Sequence, residues 1–385
     1  NGNNPLPLFE TDGTNDPVSY IKGYYSDADL TNYIPLTASV AMIGTTYYQS
    51  FEAALNAVQN GETITLLGTT GSEISKAIDF TRAITFTITG TAPNYALPVV
   101  TFQNATVNIS NAEILIPELD ARQNATINVI NSIVYDAGGN SIAKSYYNGA
   151  INISGTSEVY MMQVTTMGYI NISGTAKLHA TWQTNVYGNG LVTLKENATF
   201  NTAALHLTGQ DYNGRDNTDP DRVGKPAEII VDGADFTVGK VYSSNGADYS
   251  YNSSHGINIG TIDGKSAILN VKNGGKVNYH MADGETANVG AGGTVNVNAS
   301  TFKTQCRAEN GTVPLANNGT FNITGAAILA ANVTGDGWFY MNSVAMTEAT
   351  NLNGAKVRFA SGTNNIVGST IDNGFFQVGI GAYKG

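Results

Sequence analysis

The hexapeptide INISGT occurs twice in this chain, beginning at Ile151 and again at Ile170. Related pieces with apolar residues at alternate positions recur about every nineteen to twenty-seven residues, more widely between 190 and 270, and include AITFTITG, ATVNISN, ATINVINS and GTVNVNASTF. Period-two alternation predicts strands, and the Gly and Asn residues that follow predict tight corners. One such unit cannot bury its own apolar face, so the repeat predicts stacked coils.

A coil of about twenty residues with short strands is the unit of a parallel β-helix, so we predict an all-β, right-handed parallel β-helix (a solenoid). In that arrangement Ile151 lies against Ile170, and Ile153 against Ile172. The intervening Asn152 and Asn171 point outward and form a ladder of identical side chains. Helical repeat families are excluded because helical periodicity is absent from these segments.

Composition narrows the classes of partner. Only 13% of the residues are charged and the net charge is −11, so there is no basic surface to bind nucleic acid. Cys306 is the single cysteine, which rules out an internal disulfide. No apolar run approaches the eighteen residues that a transmembrane helix needs. We therefore expect no nucleic-acid partner and no transmembrane segment, and an extracellular or cell-surface location.

The chain divides into two predicted parts. Residues 1–40 are rich in proline and lack periodicity, which predicts an extended N-terminal arm. Residues 41–385 form the β-helix, with loop insertions near 209–226 and 242–256. Its start has one predicted helix, with Ser50 as N-cap and Phe51, Leu55 and Val58 on one face.

The segment YYQSFEAALNAVQNGETITLL resembles the opening of right-handed, pectin-lyase-like β-helices, in which a short helix with an F-x-x-A-L face precedes the first strand. Phe51, Ala54 and Leu55 match the helix face, and Ile64 and Leu66 match the strand. The resemblance implies that the helix caps the end of the solenoid. The repeat style is also similar to that of bacterial surface adhesins and autotransporter passengers, many of which are not enzymes.

The segment DYNGRDNTDPDRVGKPAE holds the densest cluster of charge in the chain. Asp216, Asp219 and Asp221 are candidate ligands of a calcium ion, and no other cofactor is predicted. Calcium-dependent polysaccharide lyases combine such carboxylates with an Arg or Lys base, for which Arg222 is the candidate. The alternative is a solvated loop whose charges pair with one another. No catalytic residue is assigned, because the paired carboxylates of a glycoside hydrolase are not distinctive here.

Three further groups of residues are candidates for contacts with other molecules. Tyr242, Tyr249 and Tyr251 lie in a polar, aromatic insertion that would suit a glycan or protein partner, as would Trp182 or Trp338. Candidate N-glycosylation sites within Asn-x-Ser/Thr sequons are Asn104, Asn124, Asn152, Asn171, Asn197, Asn252 and Asn332. The four histidines are too dispersed for a metal motif and are predicted to be surface residues.

Candidate assembly residues lie near the two ends of the chain. An uncovered strand edge invites pairing with a second copy, for which Phe376, Val378 and Ile380 are the candidates at one end. In the arm, the candidates are Leu6, Leu8 and Phe9, which would dock on a neighbouring edge. The alternative is that the next coil of a longer protein covers Ile380.

These observations favour a non-enzymatic extracellular structural or adhesive protein, a surface or fibre-forming subunit that self-associates as a filament or homo-oligomer, or binds glycan or protein partners. The alternatives are a carbohydrate-active enzyme, either a calcium-dependent polysaccharide lyase or a glycoside hydrolase, and a non-catalytic glycan-binding module.

Overall fold

The chain forms a parallel β-solenoid of about 11 turns, with one short helix among the residues that the structure describes. This computed structural model describes residues 7–10, 20–25, 33–35, 39–138, 140–239, 241–242, 248–249, 256–262, 265–281, 287–306, 314–330, 332–346, 355–361, 364–365 and 375–378. The all-β solenoid predicted from the repeat is therefore confirmed.

The first elements differ from the parallel coils that follow. An antiparallel sheet of three strands consists of β1 (Pro7–Glu10), β2 (Tyr20–Tyr25) and β3 (Tyr33–Pro35). Next come the antiparallel pair β4 (Ala41–Ile43) and β5 (Thr46–Tyr48), then α1 (Phe51–Ala57) and β6 (Thr63–Leu66). Most of residues 1–38 lie outside the described residues, so the extended arm stays a prediction.

The coils are built from short strands that pair in parallel with the strands of the next turn. The first half contains β7 (Gly71–Ser72), β8 (Ala77–Phe80), β9 (Thr85–Ala96), β10 (Val99–Gln103), β11 (Thr106–Ile116), β12 (Glu118–Arg122), β13 (Thr126–Ile130), β14 (Ile133–Asp136), β15 (Ile142–Ser145), β16 (Ala150–Ser154), β17 (Glu158–Thr166), β18 (Tyr169–Ile172), β19 (Lys177–Val186), β20 (Leu191–Lys195) and β21 (Thr199–Leu207).

The second half continues the same ladder, apart from one antiparallel hairpin made by β24 and β25. Its strands are β22 (Ala227–Asp232), β23 (Asp235–Val238), β24 (Val241–Tyr242), β25 (Asp248–Tyr249), β26 (Ile257–Ile259), β27 (Ala267–Lys272), β28 (Lys276–Met281), β29 (Ala287–Val289), β30 (Gly293–Asn298), β31 (Thr301–Cys306), β32 (Pro314–Asn317), β33 (Thr320–Ala330), β34 (Asn332–Thr334), β35 (Trp338–Met346), β36 (Lys356–Ser361) and β37 (Phe375–Val378).

One continuous apolar column shows why the sequence repeats. Ile151 pairs in register with Ile170, and Ile153 with Ile172, as predicted. The same column extends in both directions through Phe86, Val107, Ile127, Val192, Ile229, Leu269, Val295, Phe321, Phe339 and Val357. All of these side chains are at most 1% exposed, so each turn buries the apolar face of the turn before it.

Outward-facing asparagines form the predicted ladder beside this column. The amide Nδ2 of Asn171 donates to Oδ1 of Asn152 at 2.8 Å, and Asn152 donates to Asn128 at the same distance. Asn128 in turn donates to Asn108 at 2.9 Å. Each amide therefore satisfies the next one along the axis, which is the pattern of side-chain ladders in stacked strands.

The helix α1 is held at both ends by charged residues from the coils that follow it. Ser50 Oγ accepts from the N–H of Ala53, which confirms the predicted N-cap. The buried carboxylate of Glu73 accepts the N–H of Phe51 at 2.6 Å, and also a hydrogen bond from the hydroxyl of Tyr95. At the other end Arg82 donates to the carbonyls of Leu55 and Val58 at 2.5 and 2.6 Å.

Glu73 shows how completely that helix is tied to the solenoid. Burial alone would raise the pKa of Glu73, but hydrogen bonds from Tyr95, the Phe51 N–H and Lys76 outweigh it and hold the pKa below its ordinary value. A carboxylate that accepts several hydrogen bonds favours its charged form. The helix therefore has a fixed anion at its N-terminus, supplied by the strand region after β7.

Candidate functional site

The segment that joins β21 to β22, residues 208–226, lies against the outside of the coils, and we call it the strap. The N–H of Tyr147 donates to the carbonyl of Arg215 at 3.2 Å. The Arg215 guanidinium also lies over the ring of Tyr146, 5.1 Å from its centroid. One turn further along, the hydroxyl of Tyr169 donates to the carboxylate of Asp219 at 2.5 Å. The strap therefore reaches back across earlier turns.

A pair of asparagines joins the strap to the next turn. Asn189 Nδ2 donates to the carbonyl of Asn217 at 2.9 Å, and the N–H of Asn217 donates to Asn189 Oδ1 at 2.6 Å. Both residues are buried. The side-chain amide of Asn189 therefore bonds to both main-chain groups of Asn217, as the backbone of a neighbouring strand would.

Arg222 is the deepest charged residue of the strap, with only 8% of its surface exposed. Its guanidinium donates to the carbonyls of Asn189 at 3.0 Å, Gly190 at 3.3 Å and Pro226 at 2.6 Å. A fourth hydrogen bond runs to Glu228 Oε2 at 2.9 Å. A guanidinium with these four bonds pins the strap to β22 and to the turn before β20.

The three aspartates that the sequence suggested as calcium ligands have different partners in the structure. Asp219 accepts hydrogen bonds from Tyr169 and from the N–H of Asp221, and the Tyr169 bond is the main cause that lowers its pKa. Asp216 pairs with Asp211 instead. Among the described residues, no three His, Cys, Asp or Glu side chains are grouped so that they could hold a metal ion. The loop is also less solvated than predicted, because Arg222 and Asn217 are buried.

Beside the strap lies a cleft of about 280 Å³. It is lined by Gly188, Asn189, Gly209, Asp211, Asp216, Gly224, Lys225, Pro226, Lys265 and Ser266. These residues come from both ends of the strap, from the turn before β20 and from the turn before β27. The cleft therefore exists only because the strap is docked between two coils.

Two carboxyl groups that interact with each other, those of Asp211 and Asp216, lie in the lining of the cleft. The ammonium of Lys265 lies 3.0 Å from Asp211 Oδ2 and is the main cause that lowers the pKa of Asp211. Burial, followed by the bond to Asp211, raises the pKa of Asp216. Asp216 Oδ1 is buried without a hydrogen-bond partner and faces Gly188, where a Cβ would come within 2.0 Å of it. The two pKa values are therefore shifted in opposite directions, downward for the exposed Asp211 and upward for the half-buried Asp216.

An aromatic pair adjoins the same cleft. The rings of Tyr187 and Tyr212 are stacked with centroids 5.3 Å apart and planes 6° apart. Tyr187 precedes the cleft residue Gly188, and Tyr212 follows the cleft residue Asp211. Tyr212 is 42% exposed, so a large part of this side chain is open to solvent.

A second outward-facing cluster is buried rather than open. The ring of Tyr160 stacks on Tyr135 at 6.2 Å and on His179 at 4.8 Å. His179 is 3% exposed, which contradicts the predicted surface position, and burial lowers its pKa to about 4. Burial, together with Glu158, raises the pKa of Tyr160 to about 12. Both groups are therefore neutral at physiological pH.

Several candidate binding, glycosylation and assembly residues lie outside the described residues or have only their backbone described. Tyr251, Asn252, Leu6 and Ile380 lie outside the described residues. Only the backbone is described for Tyr242 and Tyr249 in the β24–β25 hairpin, for Asn332 in β34, for Leu8 and Phe9 in β1, and for Phe376 and Val378 in β37. Their roles in partner binding, glycosylation and assembly stay predictions. Trp182 and Trp338 are half-buried, and Trp338 lies 6.3 Å from Tyr340.

The remaining sequon asparagines fall into two groups, those whose Nδ2 donates a hydrogen bond to a ladder neighbour and those exposed at corners. Nδ2 of Asn152 and Asn171 donates within the main ladder, and Nδ2 of Asn124 donates to Asn104 at 3.1 Å. A glycan on any of these nitrogens would displace a ladder hydrogen bond. Asn104 and Asn197 are exposed at corners between strands. These two positions are the more compatible with N-glycosylation of the folded chain.

Comparisons with protein families, with curated proteins and with solved structures find no match. In the part of the chain that the structure describes, no helix has the length and apolar character needed to cross a membrane.

Proposed function

We propose that the chain is a non-catalytic structural and adhesive protein of the cell exterior, whose solenoid holds the strap as a fixed recognition surface. The observation that carries this proposal is the docking of Arg222, whose guanidinium makes four hydrogen bonds to the coils. Binding surfaces gain affinity when they are rigid before the partner arrives. A strap held across several turns meets that condition.

The enzyme alternatives fit the same geometry less well. Arg222, the candidate base of a lyase, is buried and uses its donors to hold backbone carbonyls, so it does not reach a substrate. A glycoside hydrolase needs carboxyl groups about 5 Å or more apart, on opposite sides of the bond that breaks. Asp211 and Asp216 interact directly with each other, so they do not flank a sugar in this way.

A cell-exterior role also agrees with the character of the outer surface. The chain carries few charges, and asparagine ladders cover the face beside the apolar column. Such a surface is polar without depending on ion pairs, so its contacts change little with salt. Fibre formation through the chain ends remains part of the proposal.

The proposal is tested by measuring, in one experiment, whether the protein binds polysaccharides and whether it cleaves them. The purified chain is incubated with insoluble and soluble polysaccharides, both neutral and acidic, with calcium present. We expect retention of the protein on at least one polysaccharide, without release of reducing ends or unsaturated products. Absence of retention on the whole panel would contradict the adhesive role.

A variant pair decides the enzyme question if products are formed. Lys225→Ala removes an exposed ammonium that lines the cleft, and Lys195→Ala removes an exposed ammonium elsewhere on the solenoid. Product formation that is lost in Lys225→Ala and kept in Lys195→Ala would make the cleft an active site and overturn the proposal.

A further inference from the structure

The cleft beside the strap has polar groups of both kinds in its lining, and the exposed aromatic residue Tyr212 directly follows one of them, Asp211. Tyr212 is 42% exposed, and its ring stacks flat against the ring of Tyr187. Within the cleft, Asp211 supplies acceptor oxygens, and Lys225 and Ser266 supply donors. An apolar face beside a few placed polar groups is the usual composition of a small-ligand site.

A sugar ring is the ligand that matches this combination. A pyranose has one apolar face made of C–H groups, which stacks on an aromatic ring, and an edge of hydroxyls that both donate and accept. A cleft of about 280 Å³ is at the small end of ligand sites, which hold about 300 to 1,000 Å³. It therefore suits a single ring of a chain rather than a long segment.

Charge distinguishes between classes of sugar. Lys265 lies 3.0 Å from Asp211 and keeps that carboxyl ionised. Two carboxyl groups, Asp211 and Asp216, and two ammonium groups, Lys225 and Lys265, line the cleft, so their formal charges balance. A uronate carboxylate that enters would therefore lose its hydration without a net electrostatic attraction in return. A neutral sugar hydroxyl, in contrast, donates to Asp211 without that cost.

We propose that Tyr212 and the cleft together form a binding subsite for one neutral pyranose ring of a glycan, with the ring stacked on Tyr212 and its hydroxyls bonded to Asp211, Lys225 and Ser266. This inference rests on the proposed adhesive function and names its ligand. The site is built by docking of the strap, since its walls belong to two different coils and to the strap itself.

Titration calorimetry with defined oligosaccharides tests the subsite. The probes are β-1,4-linked gluco-, xylo- and manno-oligosaccharides as neutral chains, and tri-galacturonate as the acidic counterpart. We expect at least one neutral series to bind the full chain. Tyr212→Ala is expected to weaken that binding about tenfold, the upper range of a single aromatic contact.

Two further variants test whether the loss of binding is specific to the cleft. Val223→Ala trims an apolar side chain that is 62% exposed on the same strap and does not line the cleft, so it leaves affinity unchanged. Lys225→Gln, at an exposed position, is the second variant and weakens binding without a change in packing. Tighter binding of tri-galacturonate than of every neutral chain, or no binding of any probe, would overturn the inference.

The two proposals fail in different ways. If a polysaccharide retains the protein but Tyr212→Ala and Lys225→Gln bind it as the unaltered chain does, the subsite is wrong and the adhesive function stands. If nothing retains the protein, the adhesive function itself is wrong.

Discussion

At the scale of single residues, burial decides which ionisable groups respond to pH. His179 packs flat on Tyr160 with Asn201 Nδ2 3.3 Å from its Nδ1, in a position that is 3% exposed. Burial disfavours the charged imidazolium, and the neighbouring Glu158 only partly opposes it, so the pKa falls to about 4. Charge on this ring is therefore incompatible with the packed state.

The depressed pKa of His179 predicts a stability change with a definite sign. The unfolded chain takes up the proton near pH 6.5 and the folded chain near pH 4, so the folded state binds fewer protons between these values. Stability from this residue is complete above pH 6.5 and declines by about 2 to 3 kcal/mol as the pH falls to 4. Urea unfolding across this range measures it, and His179→Phe, which keeps the stacked ring, should flatten this part of the profile. An unchanged slope in the variant would contradict this explanation.

At the scale of elements, the strap illustrates a loop held by interactions with distant parts of the chain. Its bonds reach Tyr147, Tyr169 and Asn189, which lie in successive turns. The Asn189 contacts are buried and the Tyr169 contact is partly buried, so the strap behaves as part of the solenoid rather than as a free loop.

Removal of Arg222 should release the strap without unfolding the coils. Arg222→Ala takes away four hydrogen bonds and leaves carbonyl groups unpaired, a loss of about 3 to 5 kcal/mol in local stability. Hydrogen exchange by mass spectrometry should show faster exchange in residues 208–226, with β20 and β22 still protected. Val223→Ala is the matched control and should exchange as the unaltered chain does. If Arg222→Ala keeps a protected strap, other contacts hold it.

Local sequence signals predicted the coils but not the strap. Alternating apolar residues and a repeated phrase determine which residues face inward, and so Ile151 against Ile170 followed from the sequence. Ser50 followed from local capping rules in the same way. The bonds of Arg222 go mainly to backbone carbonyls, which every residue has, so no side-chain pattern marks them. The Asp211–Asp216 pair was missed because the docking of the strap against the coils, and not the spacing of the two residues, brings them together.

At the scale of the whole molecule, the strands of successive turns form a single continuous parallel stack. Thr126 and Thr320 belong to the same outward column, separated by seven in-register steps through Ala150, Tyr169, Leu191, Glu228, Ile268 and Thr294. Neighbouring strands lie about 4.8 Å apart. These two threonines should therefore be about 34 Å apart, although much of the chain separates them in sequence.

A distance between two spin labels measures this stack directly. Thr126→Cys and Thr320→Cys, in a Cys306→Ser background, place labels at half-exposed positions on one face of the solenoid. Pulsed electron–electron double resonance should give a single distance distribution centred at about 34 Å, with a width set by the label linkers. A broad distribution, or one centred far from this value, would mean that the turns do not form one continuous parallel stack.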